Sequence, residues 1–130
     1  ARPRVRRVAL PWPGWLVRRA RQIPHAVAMG SLLTGEAVTA VQGQRFGLVN
    51  HVVPGGDVMP QALALGQKIA ANGPVAVQAV KRTVRDTSGL VLDDAYALEN
   101  DAKRVVMASD DAREGPRAFM EKREPRFLGR

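Results

Sequence analysis

The stretch Leu32–Val53 constrains the fold more than any other, because it carries a complete series of local start and stop signals. An apolar helical run reaches Gly35, a residue that can end a helix in a left-handed turn. Thr39 and Gln42 have the spacing of a capping box, in which each side chain satisfies a backbone donor of the other residue. They predict a short helix that ends at Gly47.

The chain around this stretch has the patterns of a mainly α protein. Residues 48–53 are rich in β-branched side chains and predict one short strand, which stops at Pro54. Aromatic residues make up only 5% of the sequence, so a core must form from Ala, Val and Leu in closely packed helices. Besides the short helix after Thr39, helical spacing predicts helices over 14–21, 24–33, 58–72, 74–87, 91–108 and 111–124.

Pro116 is the exception within this helical pattern. A proline in a helix interior removes a backbone hydrogen bond and clashes with the preceding turn, at a cost of about 3 kcal/mol. We therefore expect the last helix to kink, or to begin nearer Gly115 than Asp111.

Composition excludes several kinds of site. The sequence has no cysteine, which removes disulfides and thiolate ligands and suits a cytoplasmic location. His25 and His51 are the only histidines and are too far apart to suggest a spaced pair of metal ligands, so no metal or other cofactor is predicted. No apolar run approaches the roughly 18 residues of a membrane span.

The net charge of +8 is concentrated at the start of the chain. Seven arginines and no acidic residue fall in the first 21 positions, so the other 109 residues carry 13 basic and 12 acidic groups. A protein that neutralises phosphates usually spreads its basic residues over a folded face, so nucleic acid is not a predicted partner. We interpret residues 1–21 as an irregular basic segment and residues 22–130 as the helical domain; a basic anion-binding arm is the alternative reading of the first segment.

The residues show no catalytic centre when taken alone. The acidic residues at predicted helix starts suit the helix dipole better than paired acid and base catalysis. They are Asp93, Asp94, Asp110, Asp111 and Glu114. The two histidines are expected to be surface or packing residues, and no glycine-rich phosphate loop is present.

A series of short motifs runs through the chain at 33–36 (LTGE), 45–50 (RFGLVN) with 52–54 (VVP), 69–74 (IAANGP), 79–82 (AVKR), 109–115 (SDDAREG) and 119–123 (FMEKR). The order of these motifs resembles the C-terminal half of the crotonase superfamily, the enoyl-CoA hydratases and isomerases. Residues 21–29 resemble actinobacterial members in particular. The resemblance covers Gln22–Arg130.

The resemblance implies chemistry on acyl-CoA thioesters, as in fatty-acid metabolism, with coenzyme A as part of the substrate rather than as a cofactor. Family members polarise the thioester carbonyl with two backbone N–H groups and use two glutamates. The amides and the first glutamate belong to a half of the family fold that we do not find in this sequence. The position of the second glutamate matches Arg4, and a guanidinium stays protonated and cannot act as a base. We therefore expect no hydratase activity from this chain by itself.

Two roles carry over from the family to the last helix and its surroundings. Phe119 matches the aromatic residue that approaches the CoA nucleotide, and Lys122 matches the lysine beside it. The resemblance also implies a homo-oligomer or association with related subunits. Three functions stay open: a member of the enzyme family, a noncatalytic assembly or CoA-rim module, and an anion-binding arm on a helical domain.

Overall fold

The structure, a computed structural model, describes residues 14–130, except for the side chain of Trp15. The chain divides into two compact units, one that ends at Val58 and one that runs from Met59 to Arg130. Every regular element that the structure describes is a helix, which confirms the predicted mainly α fold class.

The first unit holds three helices, α1 (Trp15–Gln22), α2 (His25–Thr34) and α3 (Ala40–Arg45). Helix α1 packs against α2, and the contact buries Ile23 and Ala28, which are 5% and 0% exposed. Gly35 ends α2 with a φ of 68°, as predicted.

The capping box at the start of α3 also forms as the sequence predicts. The Thr39 hydroxyl accepts a hydrogen bond from the Gln42 backbone N–H at 3.2 Å, and the Gln42 side chain accepts one from the Thr39 backbone N–H at 2.9 Å. Gly47 follows the helix with a φ of 77°. Local sequence therefore fixes both ends of α3.

The predicted strand at residues 48–53 is wrong: these residues form a bend and irregular backbone. A strand is stable only beside a partner that accepts and donates its ladder hydrogen bonds, and no strand occurs among residues 14–130. The backbone N–H groups of Leu48 and Val49 instead donate to the Gly43 carbonyl at the end of α3, at 2.8 and 3.4 Å. β-branched composition alone did not distinguish a strand from such a turn.

The second unit contains most of the helical residues. The first unit ends with a short 3₁₀ turn, Gly55–Asp57, and the first residue of α4 (Val58–Ala70). The rest of α4 is followed by α5 (Pro74–Asp86), α6 (Leu92–Ala108) and α7 (Asp110–Met120). Helix α6 packs against both α5 and α7. Pro74 is the first residue of α5, where its missing N–H needs no partner.

Helix α7 runs through Pro116, so a start near Gly115 is wrong. Its first turn is stabilised by the Ser109 hydroxyl, which accepts a hydrogen bond from the Ala112 backbone N–H at 3.2 Å. The backbone carbonyl of Arg130 adds a second partner, because it accepts from the Asp110 N–H at 2.7 Å. These caps hold the helix start in place despite the proline in its interior.

The long helices of the second unit keep their apolar faces in solvent. None of the residues of α4, α5 or α6 is buried. On α5, Val80 and Val84 are 64% and 69% exposed, and on α6 Val105 is 63% exposed. These side chains have the helical spacing that the sequence predicts for a buried stripe, but the described chain does not cover them.

Candidate functional site

The backbone at the end of α7 adopts an unusual conformation. Lys122 has a φ of 53° and is the one non-glycine residue in the described chain with a positive φ. Its N–H donates to the Phe119 carbonyl at 3.2 Å, and the Arg123 N–H donates to the Ala118 carbonyl at 3.0 Å. These two bonds form a Schellman motif, in which glycine is the usual left-handed residue.

Four charged side chains form an ion-pair network around this turn, which we call the α7 clamp. Arg123 donates two hydrogen bonds to the Glu114 carboxylate, at 2.6 and 3.0 Å, and a third to Glu121 at 2.6 Å. Arg117 donates to the other oxygen of Glu121 at 2.9 Å and thereby lowers the pKa of that carboxyl. The fork of Arg123 fits a carboxylate in a way that a lysine ammonium cannot.

The chain after the clamp folds back along α7. We call residues 124–130 the C-terminal strap. The Glu114 carboxylate accepts a hydrogen bond from the Arg126 N–H at 2.7 Å. The Asp111 carboxylate, which is 7% exposed, accepts from the N–H groups of Leu128 and Gly129 at 2.6 and 2.9 Å. Two carboxylates of α7 therefore fix the path of the strap.

Glu114 makes the stability of this region depend on pH. The hydrogen bonds from Arg123, and then the one from Arg126, lower the pKa of Glu114 from an ordinary value of 4.5 to about 2. Because the folded pKa lies below the unfolded one, the stabilisation is complete above pH 4.5 and is lost as the pH falls from 4.5 towards 2.

Replacing Glu114 with Gln should therefore lower the urea midpoint of unfolding most above pH 4.5. The difference between the two proteins should shrink as the pH falls towards about 2, because the unmodified chain loses the same charge there. Urea titrations at several pH values measure it. Glu124→Gln is the control, since Glu124 forms no ion pair in the described part of the chain. A difference for Glu114→Gln that is constant over this pH range would contradict the charge-based explanation.

Phe119 and Lys122, the two residues singled out in the sequence, lie together at this helix end. The Phe119 ring is 82% exposed and the neighbouring Met120 is 80% exposed. Lys122 is exposed and forms no salt bridge with any residue that the structure describes. An exposed aromatic ring and an ammonium without an ion pair among the described residues, three positions apart at one helix end, are groups that can hold a planar ligand that carries a phosphate.

The left-handed conformation of Lys122 should have a measurable cost. Replacing Lys122 with Gly should raise the free energy of unfolding by about 0.5 to 1 kcal/mol, because glycine adopts a positive φ without a steric penalty. Chemical denaturation checks this value. Lys122→Ala removes the same ammonium but keeps the penalty, so its stability should stay within about 0.5 kcal/mol of the unmodified chain. Equal effects of the two substitutions would contradict a backbone origin.

The other residues considered in the sequence do not assemble into a site. Arg4, which the resemblance aligns with the family glutamate, lies outside the described residues, together with Arg2, Arg6 and Arg7. His25 and His51 are exposed at separate positions, as expected of surface histidines. Within residues 14–130, no group of three metal-ligating side chains occurs, and no helix is long and apolar enough to cross a membrane.

Comparison with known proteins identifies the family. Residues 10–130 match the sequence profile of the enoyl-CoA hydratase/isomerase family. The chain belongs to this family. It is 46% identical over 120 residues to an enoyl-CoA hydratase of Mycobacterium tuberculosis, which covers 92% of this chain and 45% of the relative. A 2,3-dehydroadipyl-CoA hydratase of Escherichia coli is 36% identical over 93% of this chain and 48% of its own length.

Solved structures of the family have the same fold. A crystal structure of an enoyl-CoA hydratase from Mycobacterium tuberculosis superposes with a TM-score of 0.94 at 39% identity and covers 98% of this chain and 51% of that one. The chain thus spans about half the length of the family members it matches. The resemblance inferred from short motifs is confirmed.

Sequence reasoning missed the clamp and the strap. It assigned Asp111 and Glu114 to the helix dipole, yet Asp111 also binds the strap and Glu114, in the second turn of α7, binds Arg123. The partners lie 9 to 18 positions away along the chain, beyond the range of helix-start signals. The sequence signal for this ion-pair network is the alternation of glutamates and arginines near the end of the chain, at Glu114, Arg117, Glu121, Arg123, Glu124 and Arg126.

Proposed function

We propose that this chain is part of an enzyme that hydrates or isomerises enoyl-CoA thioesters, and that residues 59–130 supply a rim for coenzyme A. Family membership supports this proposal, and the relatives named above are hydratases of CoA thioesters. The rim rests on two observations: the Phe119 ring is exposed, and Lys122, three positions further on at the same helix end, has no ion-pair partner among the described residues. The ring would stack on the adenine and the ammonium would contact a phosphate.

Calorimetric titration of the chain with coenzyme A tests the rim. Lys122→Ala should weaken binding about tenfold, which corresponds to the loss of one charge-assisted contact. Phe119→Ala should weaken it by a similar factor through lost stacking. The matched controls are Lys68→Ala, an exposed lysine in the last turn of α4, and Met120→Ala. No binding, or equal losses in variants and controls, would refute the rim.

Hydration by these residues alone is not expected. By the resemblance, neither the two oxyanion amides nor the two glutamates fall within residues 14–130. Glu114 and Asp111 in the second unit bind an arginine and backbone N–H groups, so these carboxylates are engaged in structure. Incubating the chain with crotonyl-CoA should give no hydration above background. Measurable turnover would contradict this expectation.

A noncatalytic assembly module is the second candidate function, and the uncovered apolar faces of α4, α5 and α6 favour it. A groove of about 290 Å³ between α5 and α6 is lined in part by Val75, Ala79, Leu98, Ala102 and Val105. Light scattering after size exclusion should show self-association or a complex with a full-length relative. Val80→Ser with Val84→Ser should reduce it, whereas a monomer that ignores the relative would eliminate this candidate.

A further inference from the structure

Arg123 and its partners surround Lys122 on both sides along the chain. Glu121 precedes the lysine and Arg123 follows it, and the two side chains join at 2.6 Å. This bridge spans a single residue, so it closes a small ring around the Lys122 backbone. A change of Lys122 from the left-handed to an extended conformation would move residue 123 and break the ring.

Both side chains that close this ring, those of Glu121 and Arg123, have further ion-pair partners on α7. Glu121 is tied one helical turn back to Arg117, and Arg123 is tied to Glu114 through a two-bond fork. The Arg123 guanidinium also donates to the Glu124 carbonyl at 3.1 Å. With its backbone N–H bonded to Ala118, Arg123 makes contacts to four different residues. A conformation that is costly for an L-residue persists where its surroundings over-determine it, as they do here.

We propose that Arg123 is a positioning residue for ligand binding: through Glu114 and Glu121 it holds Lys122 in the left-handed conformation, and so sets the direction in which the lysine side chain leaves the helix end that carries Phe119. The inference rests on the proposed coenzyme A rim. Arg123 itself is engaged by two carboxylates, so its charge is balanced within the clamp, whereas Lys122 forms no ion pair with any residue that the structure describes. Its effect on an anionic ligand therefore passes through Lys122.

Arg123→Lys is the decisive substitution, because it keeps the charge and removes the planar fork. We expect it to weaken coenzyme A binding about fourfold in the unmodified chain and to have no effect in a Lys122→Ala background. The matched control is Arg113→Lys on α7, since the one ion pair of Arg113 among residues 14–130 is with Asp110 at 3.7 Å. This substitution should leave binding unchanged in both backgrounds. NMR couplings at residue 122 should report loss of the positive φ in Arg123→Lys.

Glu114→Gln gives a second route to the same result, because it loosens Arg123 without altering it. Circular dichroism of each variant establishes that it is folded before binding is compared. If either folded variant weakens binding equally with and without Lys122, or if φ at residue 122 stays positive while affinity falls, Arg123 does not act by positioning the lysine. If Lys122→Ala itself leaves coenzyme A affinity unchanged, the proposed rim fails, and the positioning role fails with it.

Discussion

Replacing Asp111 with Asn should lower the free energy of unfolding by about 2 to 3 kcal/mol. The Asp111 carboxylate is 7% exposed and accepts two backbone hydrogen bonds from the C-terminal strap. An asparagine side chain offers one acceptor oxygen and one amide donor, so one buried strap N–H would face another donor. Urea denaturation followed by circular dichroism measures the loss.

Asp110 provides a closely matched control for this substitution. It precedes Asp111 on the same helix, and its carboxylate interacts with the same positive end of the helix dipole. Its side chain, however, is 57% exposed, and the guanidinium groups of Arg130 and Arg113 lie 3.6 and 3.7 Å away. Asp110→Asn should therefore cost less than about 1 kcal/mol. Similar losses for the two substitutions would show that the helix dipole, rather than the strap, determines the role of Asp111.

Replacing Phe127 with Ala should destabilise the second unit by about 2 kcal/mol. The Phe127 ring is half-buried and lies against Gly73 at the start of α5, where a β-carbon would sit 3.6 Å from the ring and 3.8 Å from the Asp111 side chain. A β-carbon added to Gly115 of α7 would likewise lie about 4.0 Å from the ring. Removing the ring would leave the strap without its apolar anchor between the two helices.

Leu128→Ala is the control for the Phe127 substitution. Leu128 is the next residue of the strap and is 66% exposed, and its contribution to the Asp111 contact comes from its backbone, which the substitution preserves. We expect a change of less than about 0.5 kcal/mol in the same denaturation experiment. An equal loss at both positions would mean that the strap is held by its backbone hydrogen bonds and not by the aromatic ring.

Some parts of the site could be predicted and others could not. Phe119 and Lys122 were found through their match to family motifs, and the structure brings both to one exposed helix end. The left-handed conformation of Lys122 had no sequence signal, because glycine is the residue that normally marks a helix end of this kind. The clamp that accompanies it joins residues from two separated turns, and charge patterning alone did not say which arginine meets which glutamate.

The sequence by itself determined the end of α2 and the starts of α3 and α5. The Thr39 and Gln42 capping box, Gly35 and Pro74 act on backbone groups within a few positions, so their effects do not depend on the rest of the fold. Tertiary structure decided three other features: the absence of a strand at residues 48–53, the passage of α7 through Pro116, and the strap held by Asp111 and Glu114. The strap contacts join groups 12 to 18 positions apart, and residues 48–53 have no strand beside them among residues 14–130, so neither feature could be decided before the chain had folded.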